Sequence, residues 1–175
     1  MWDLAAGPFL AAAGLLVVAG LPKAADPLPL VRALRAAGMP APRHLVRGFA
    51  LGEVAVGLWA LAAPGRVGAG LVAAAYLVFT AFVARVLARG GVLGSCGCFG
   101  KADTPATRTH LALTTTAALV ALGATLDPPR GVWSNVDATT LTTAGLAVVI
   151  AFLAWQAMAV LPTTTPAAVR SATKG

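Results

Sequence analysis

The chain has 175 residues, of which 58% are hydrophobic and 11% charged, and its formal net charge at pH 7 is +7. Water-soluble domains carry about twice that share of charge, so the composition, with a mean hydropathy of +0.82, excludes them and predicts an all-α integral membrane protein. The basic residues flank apolar runs and form no stripe interleaved with aromatic residues, which excludes nucleic acid and makes the lipid bilayer the expected partner.

The first apolar run, from about Leu4 to Leu21, is long enough to cross a bilayer. No Lys or Arg precedes it, whereas a secretory signal has a basic start, so we expect a retained helix. A proline-rich segment from Lys23 to Arg43 follows, in which apolar residues are interspersed with Arg32 and Arg35. This pattern predicts a short amphipathic helix at the membrane interface.

Four further apolar runs predict the remaining spans, at about Leu45 to Ala63, Val67 to Leu87, Thr107 to Leu126 and Thr139 to Leu161. Thr104-Pro105 has the pattern of an N-cap followed by proline at the first helical position. Because small residues dominate the spans, helices can approach closely. We therefore predict one domain, residues 1–162, that is a compact bundle of four to five transmembrane helices. Residues 163–175 are expected to be a disordered tail.

The distribution of basic residues predicts the orientation, because positive charge accumulates on the cytoplasmic side. One side would hold eleven basic residues: Lys23, Arg32, Arg35, Arg43, Arg47, Arg85, Arg89, Lys101, Arg108, Arg170 and Lys174. The other side would hold only Arg66 and Arg130. This bias places the N-terminus outside, and it places the C-terminus and the loop after the third span in the cytoplasm.

That loop contains the only two cysteines, Cys96 and Cys98, separated by one glycine. A disulfide between them would close a very small, strained ring, and Gly97 can adopt the backbone conformation that such a turn needs. Strained, exposed disulfides tend to be the reducible ones. Lys101 and the start of the next helix would both stabilise a thiolate. We therefore predict that Cys96 and Cys98 are a redox-active pair.

Two other interpretations of the cysteines remain open. They could be structural residues of a tight turn. They could also bind a metal with the only two histidines, His44 and His110, which lie near the starts of spans that begin on the same side as the loop. The usual zinc-site spacing is absent, however.

Glu53 is the only acidic residue inside any predicted span, about 12 Å deep at 1.5 Å per residue. Because an ionisable group at this depth is costly, we expect its carboxyl to face other helices. Its role would be proton handling or a polar contact to a quinone-like or thiol partner; the alternatives are a neutral carboxyl, or a carboxyl bonded to a neighbouring helix for packing specificity. Gln156 is a second buried polar candidate, and Trp59, Trp133 and Trp155 are expected in interface or packing positions.

The stretch Ser95-Cys96-Gly97-Cys98-Phe99-Gly100 after a third apolar span resembles the methylamine-utilisation protein MauE family, which is related to DoxX-like membrane proteins. Lys-Ala-Ala-Asp-Pro at 23–27, the amphipathic segment at 31–38 and Glu53 fit the same pattern. The resemblance covers the chain from the first span to the fourth. It implies a redox-associated protein that helps to form or maintain disulfides in a partner, originally the small subunit of methylamine dehydrogenase.

The expected function is therefore that of a membrane protein of thiol–disulfide redox chemistry, acting alone or with a thioredoxin-like protein, that supports disulfides in a client protein; whether it is itself a thiol–disulfide oxidoreductase is left open. An exported client would need the cysteines outside, whereas the charge bias places them inside. No bound cofactor is predicted, and a quinone-like electron acceptor is left open. The alternatives are a non-catalytic assembly factor, or a small transporter or metal-handling protein that uses the thiols as ligands.

Overall fold

The computed structural model describes residues 3–36, 38–88, 107–129, 132–133 and 137–160, and every regular element in these ranges is a helix. The helices are α1 (Asp3–Ala25), α2 (Leu28–Ala36), α3 (Arg43–Ala62), α4 (Arg66–Ala88), α5 (Arg108–Leu126) and α6 (Ala138–Trp155), followed by a π-helical turn, Gln156–Val160. Five of them, all except α2, are long and apolar enough to cross a membrane. The predicted all-α membrane bundle is confirmed, while the predicted disordered tail lies outside the described residues.

The first span is longer than predicted, because α1 continues through Pro22 to Ala25. A proline inside a helix removes one backbone donor without preventing a further turn. The Asp26 amide donates to the Pro22 carbonyl at 2.8 Å, which closes the last turn. The Asp26 carboxylate then accepts from the Leu28 amide at 3.0 Å, where α2 begins.

Two helix starts are fixed by side-chain caps. At the start of α5 the Thr107 hydroxyl accepts from the His110 amide at 3.3 Å, which makes Thr107 the N-cap of this helix, while the predicted cap at Thr104 lies outside the described residues. At the start of α6 the Asp137 carboxylate accepts from the Thr140 amide at 2.8 Å. That bond, together with the Thr140 hydroxyl, holds the pKa of Asp137 below its usual value.

The bundle is built around α1, whose apolar stretch is mostly buried, whereas almost none of the residues in the α6 stretch are fully buried. Two glycines allow α1 and α3 to pack closely. A Cβ on Gly20 would lie 2.9 Å from the Ala50 carbonyl, and one on Gly57 would lie 2.8 Å from the Ala13 carbonyl. No larger residue fits at either position without a shift of the helices.

Successive spans run in opposite directions, so one end of the bundle holds the ends of α1, α4 and α6 and the starts of α3 and α5. We call it the Lys23 end, after a residue of the last turn of α1. The predicted amphipathic helix, α2, is confirmed and follows α1 there. Its Val31 packs against Ala41 and Val46, and its Arg32 and Arg35 side chains are exposed.

Candidate functional site

A buried ion pair joins α1 and α3. The Lys23 ammonium contacts the Glu53 Oε2 atom, and the two residues are only 2% and 3% exposed. Glu53 lies on the buried face of α3 with Val46, Ala50, Gly57 and Ala60, which recur every three or four residues. The expectation that its carboxyl faces other helices is therefore confirmed.

The position of Lys23 corrects the sequence analysis, which placed this residue beyond the first span among the basic residues that set the orientation. Lys23 is instead inside α1 and neutralised by Glu53. The bias in flanking basic residues becomes ten to two, and its direction is unchanged.

An ion pair inside a membrane bundle is unusual, since charged side chains there are expensive and commonly mark ion or proton pathways. Mutual neutralisation reduces the cost but does not remove the desolvation of either group. Glu53 Oε1 has no hydrogen-bond partner among the described residues. The carboxyl thus retains a free oxygen that can accept a hydrogen bond or a proton.

Aromatic residues of α4 surround the pair. The Lys23 ammonium lies 4.8 Å from the centroid of the Phe79 ring, within the range of a cation–π interaction. Tyr76 meets Phe79 edge to face, with 5.9 Å between ring centroids, and the Tyr76 hydroxyl donates to the Ala12 carbonyl at 2.8 Å. These contacts fix α4 against α1 beside the charged pair.

His110 lies at the start of α5 and is only 1% exposed. Its Nδ1 atom is 2.9 Å from the Thr107 hydroxyl, within hydrogen-bond distance, and its carbonyl accepts from the Thr114 hydroxyl at 2.8 Å. Its Nε2 atom makes no hydrogen bond of good geometry to a described residue, although the backbone of Met158 is nearby. His110 therefore has one ring nitrogen available to a small molecule or a proton.

A cavity of about 30 Å³ connects these side chains, and its lining includes Lys23, Tyr76, His110, Thr114 and Met158. A water molecule needs only about 10–15 Å³ of such space and two to four polar partners. By volume the cavity has room for one water molecule, and Lys23, Tyr76, His110 and Thr114 are the polar residues in a lining that is otherwise apolar. We refer to Lys23, Glu53, Tyr76, His110 and this cavity as the polar cluster.

The predicted thiol site, Cys96 and Cys98 with Lys101, lies outside the described residues. Residues 89–106 connect α4 to α5. The last turn of α4 and the first turn of α5 both lie at the Lys23 end of the bundle. The described helices on either side of the cysteines therefore both reach the end of the bundle where Lys23 and His110 lie.

The two histidines do not come together in the way that a metal site would require. His44 is exposed at the start of α3, whereas His110 is buried at the start of α5. Among the described residues there is no group of three or more side chains able to hold a metal ion.

The other polar and aromatic candidates take different positions. Gln156 is half-buried at the first position of the π-helical turn, so it is less enclosed than predicted. Trp59 and Trp133 are about half exposed, and the Trp133 indole donates to the Leu61 carbonyl at 2.7 Å. Trp133 thus links the turn before α6 to the end of α3.

Sequence reasoning missed the partners of Glu53. One signal was available: a membrane-embedded acid needs a cation or donor, and Lys23 is the nearest basic residue at the end of the neighbouring span. Tyr76, as the only tyrosine of the chain, was a second signal within an apolar span.

Searches of curated proteins and of solved structures gave no match. A scan against protein-family models gave one for methylamine utilisation protein MauE, over residues 1–128. The matched region includes α1 to α5, the four residues of the polar cluster and the segment with both cysteines. The chain therefore belongs to the MauE family of methylamine utilisation proteins.

Proposed function

We propose that this protein is a membrane thiol–disulfide redox protein in which Cys96 and Cys98 form and break a disulfide, supporting disulfide formation in a partner. The observation that carries the proposal is the sequence Cys96-Gly97-Cys98, which holds the only cysteines of the chain within the family match. The family's description leads us to propose that the partner acts in methylamine utilisation.

The exchange transfers two electrons and two protons. A thiolate of the partner attacks the Cys96–Cys98 disulfide and forms a mixed disulfide, and the second partner thiolate then resolves it. The partner leaves with a new disulfide, and Cys96 and Cys98 are left as two thiols. Lys101 is close in sequence and would favour the thiolate of the leaving cysteine.

The polar cluster gives the protein a means to handle the protons. Glu53 has one carboxylate oxygen without a hydrogen-bond partner among the described residues, and the cavity lined by Lys23 and His110 has room for one water molecule. A proton released at the Lys23 end would pass to His110, through the cavity and to the Lys23–Glu53 pair. Glu53 acts here as a proton acceptor, not as a group that touches the reacting sulfurs.

A redox titration of the purified protein tests the thiol chemistry. In glutathione buffers, mass spectrometry should show a reversible loss of two hydrogens, with a potential of roughly −300 to −120 mV. Cys96→Ser and Cys98→Ser serve as matched controls, since neither can close the ring. Thiols that stay reduced in every buffer would contradict the proposal.

A second measurement separates a redox role from an assembly role. If the thiols carry the function, either serine variant should abolish support of the partner's disulfides in cells. If the cysteine segment only docks a partner, the serine variants should retain that support.

Glu53→Gln should leave the redox potential of the thiols unchanged and slow their reoxidation, because it removes a proton acceptor.

A further inference from the structure

An apolar groove on the side of the bundle lies next to the polar cluster. It has a volume of about 690 Å³ and is formed by α2, the segment that follows it, the start of α3 and the second half of α4. We call it the lateral groove. Its walls include Leu34, Phe49, Phe79, Ala81 and Phe82.

One charged side chain, Arg85, lines the lateral groove near the end of α4. Arg85 is exposed and makes no ion pair or hydrogen bond with another described residue. Its guanidinium therefore has donors available for an oxygen-rich head group. A mostly apolar pocket of this size with one polar contact is typical of a site for a small apolar ligand.

Phe79 connects the groove to the polar cluster. The residue lines both the lateral groove and the small cavity, and the Lys23 ammonium lies 4.8 Å from its ring centroid. A ligand in the groove would thus be separated from the Lys23–Glu53 pair by one aromatic side chain. The aromatic walls formed by Phe49, Phe79 and Phe82 suit a ligand with a flat ring, and Arg85 supplies a donor for an oxygen atom on that ring.

We propose that the lateral groove binds a quinone from the bilayer, with its ring near Phe79 and a ring oxygen accepting a hydrogen bond from Arg85. This inference rests on the proposed thiol–disulfide function, which needs an electron acceptor. Two thiols of Cys96 and Cys98 are oxidised to one S–S bond and give up two electrons and two protons. The quinone takes up both electrons and both protons and becomes a quinol.

Photolabelling tests the binding. The full-length protein in phosphatidylcholine nanodiscs is labelled with an azido-benzoquinone that carries a decyl chain, and mass spectrometry locates the modified residues. We expect labels within residues 39–49 and 78–85, suppressed by unlabelled decyl-benzoquinone. Labels that lie elsewhere would overturn the proposal.

A matched pair of variants on α4 sharpens the test. Ala81→Trp places a large side chain in the lateral groove, whereas Ala84→Trp makes the same change at an exposed position outside it. Labelling should fall about tenfold in the first and stay near the original level in the second. Ala81→Leu repeats the test with a smaller change if Ala81→Trp folds poorly, and circular dichroism checks each variant. Equal labelling in all three variants would contradict the inference.

Two further results separate the possible explanations. If phosphatidylglycerol in the nanodiscs suppresses labelling as strongly as decyl-benzoquinone does, the groove is a phospholipid site and the inference is wrong. If the thiols titrate reversibly but the reduced protein forms no quinol, the proposed function stands and the quinone role falls. If the thiols do not titrate, the proposed function falls, and labelling of a Cys96→Ser/Cys98→Ser variant still reports on the groove.

Discussion

Lys23 and Glu53 contact each other across the tight α1–α3 packing, and each side chain is almost completely removed from solvent. The contact depends on the glycines of these helices, because Gly20 lies against Ala50 and Glu53. In the part of the chain that the structure describes, this is the only ion pair. The Lys23–Glu53 ion pair therefore joins α1 to α3, and it is also the end of the proposed proton path.

A double-mutant cycle should show strong coupling between Lys23 and Glu53. Lys23→Met leaves a buried carboxylate without its cation, and Glu53→Leu leaves a buried ammonium without its anion. Each change should cost about 3–5 kcal/mol unless the remaining group becomes neutral. The double variant has two apolar side chains, so it should recover much of the lost stability. Thermal unfolding in detergent, followed by circular dichroism, measures the effect.

Arg47 provides the control for that cycle, since it is a basic residue of α3 with an exposed side chain. Arg47→Met should change the unfolding temperature little and should not couple to Glu53→Leu. Additive losses in the Lys23–Glu53 cycle would contradict the coupling that the contact implies.

The close packing of α1 against α3 predicts that alanine substitutions at two glycines of α3 will change the stability of the protein in opposite directions. Gly57→Ala should destabilise the protein, because the new Cβ would lie 2.8 Å from the backbone oxygen of Ala13. Gly48→Ala meets no atom within 4 Å and should be neutral or stabilising by up to about 1 kcal/mol from helix propensity. Unfolding temperatures of the two variants test this difference, and similar values would mean that α1 and α3 are farther apart.

Tyr76→Phe should weaken the attachment of α4 to α1 without removing the ring. The change deletes the hydroxyl that donates to the Ala12 carbonyl at 2.8 Å and leaves that buried acceptor without this partner. Hydrogen bonds between membrane helices contribute about 0.6 kcal/mol on average and at most about 1.7. A loss in this range is expected in chemical unfolding, with Phe79→Leu as a comparison that alters packing but no hydrogen bond.

The sequence predicted the five spans and the burial of Glu53, because apolar runs and a lone membrane acid are strong local signals. It did not predict the partner of Glu53, because Pro22 looked like the end of the first span and placed Lys23 outside. Gly48 and Gly52 have the four-residue spacing found at many contacts between membrane helices, yet a Cβ at either position would meet no atom within 4 Å. The actual contact uses Gly20 and Gly57 on different helices, and only the three-dimensional pairing of α1 with α3 reveals it.

The orientation of the protein can be tested with two introduced cysteines. Ten of the twelve basic residues that flank the spans belong to the Lys23 end or to the chain's C-terminal region, which predicts that this end faces the cytoplasm. In a Cys96→Ser/Cys98→Ser background, Ala36→Cys lies at the Lys23 end and Ala63→Cys at the opposite end, and both positions are exposed. A membrane-impermeant maleimide should label the cysteine at 63 in intact cells and the cysteine at 36 only after the membrane is opened. The reverse pattern would place the Lys23 end, and with it the connection that carries Cys96 and Cys98, on the outer face, where an exported client could reach the thiols directly.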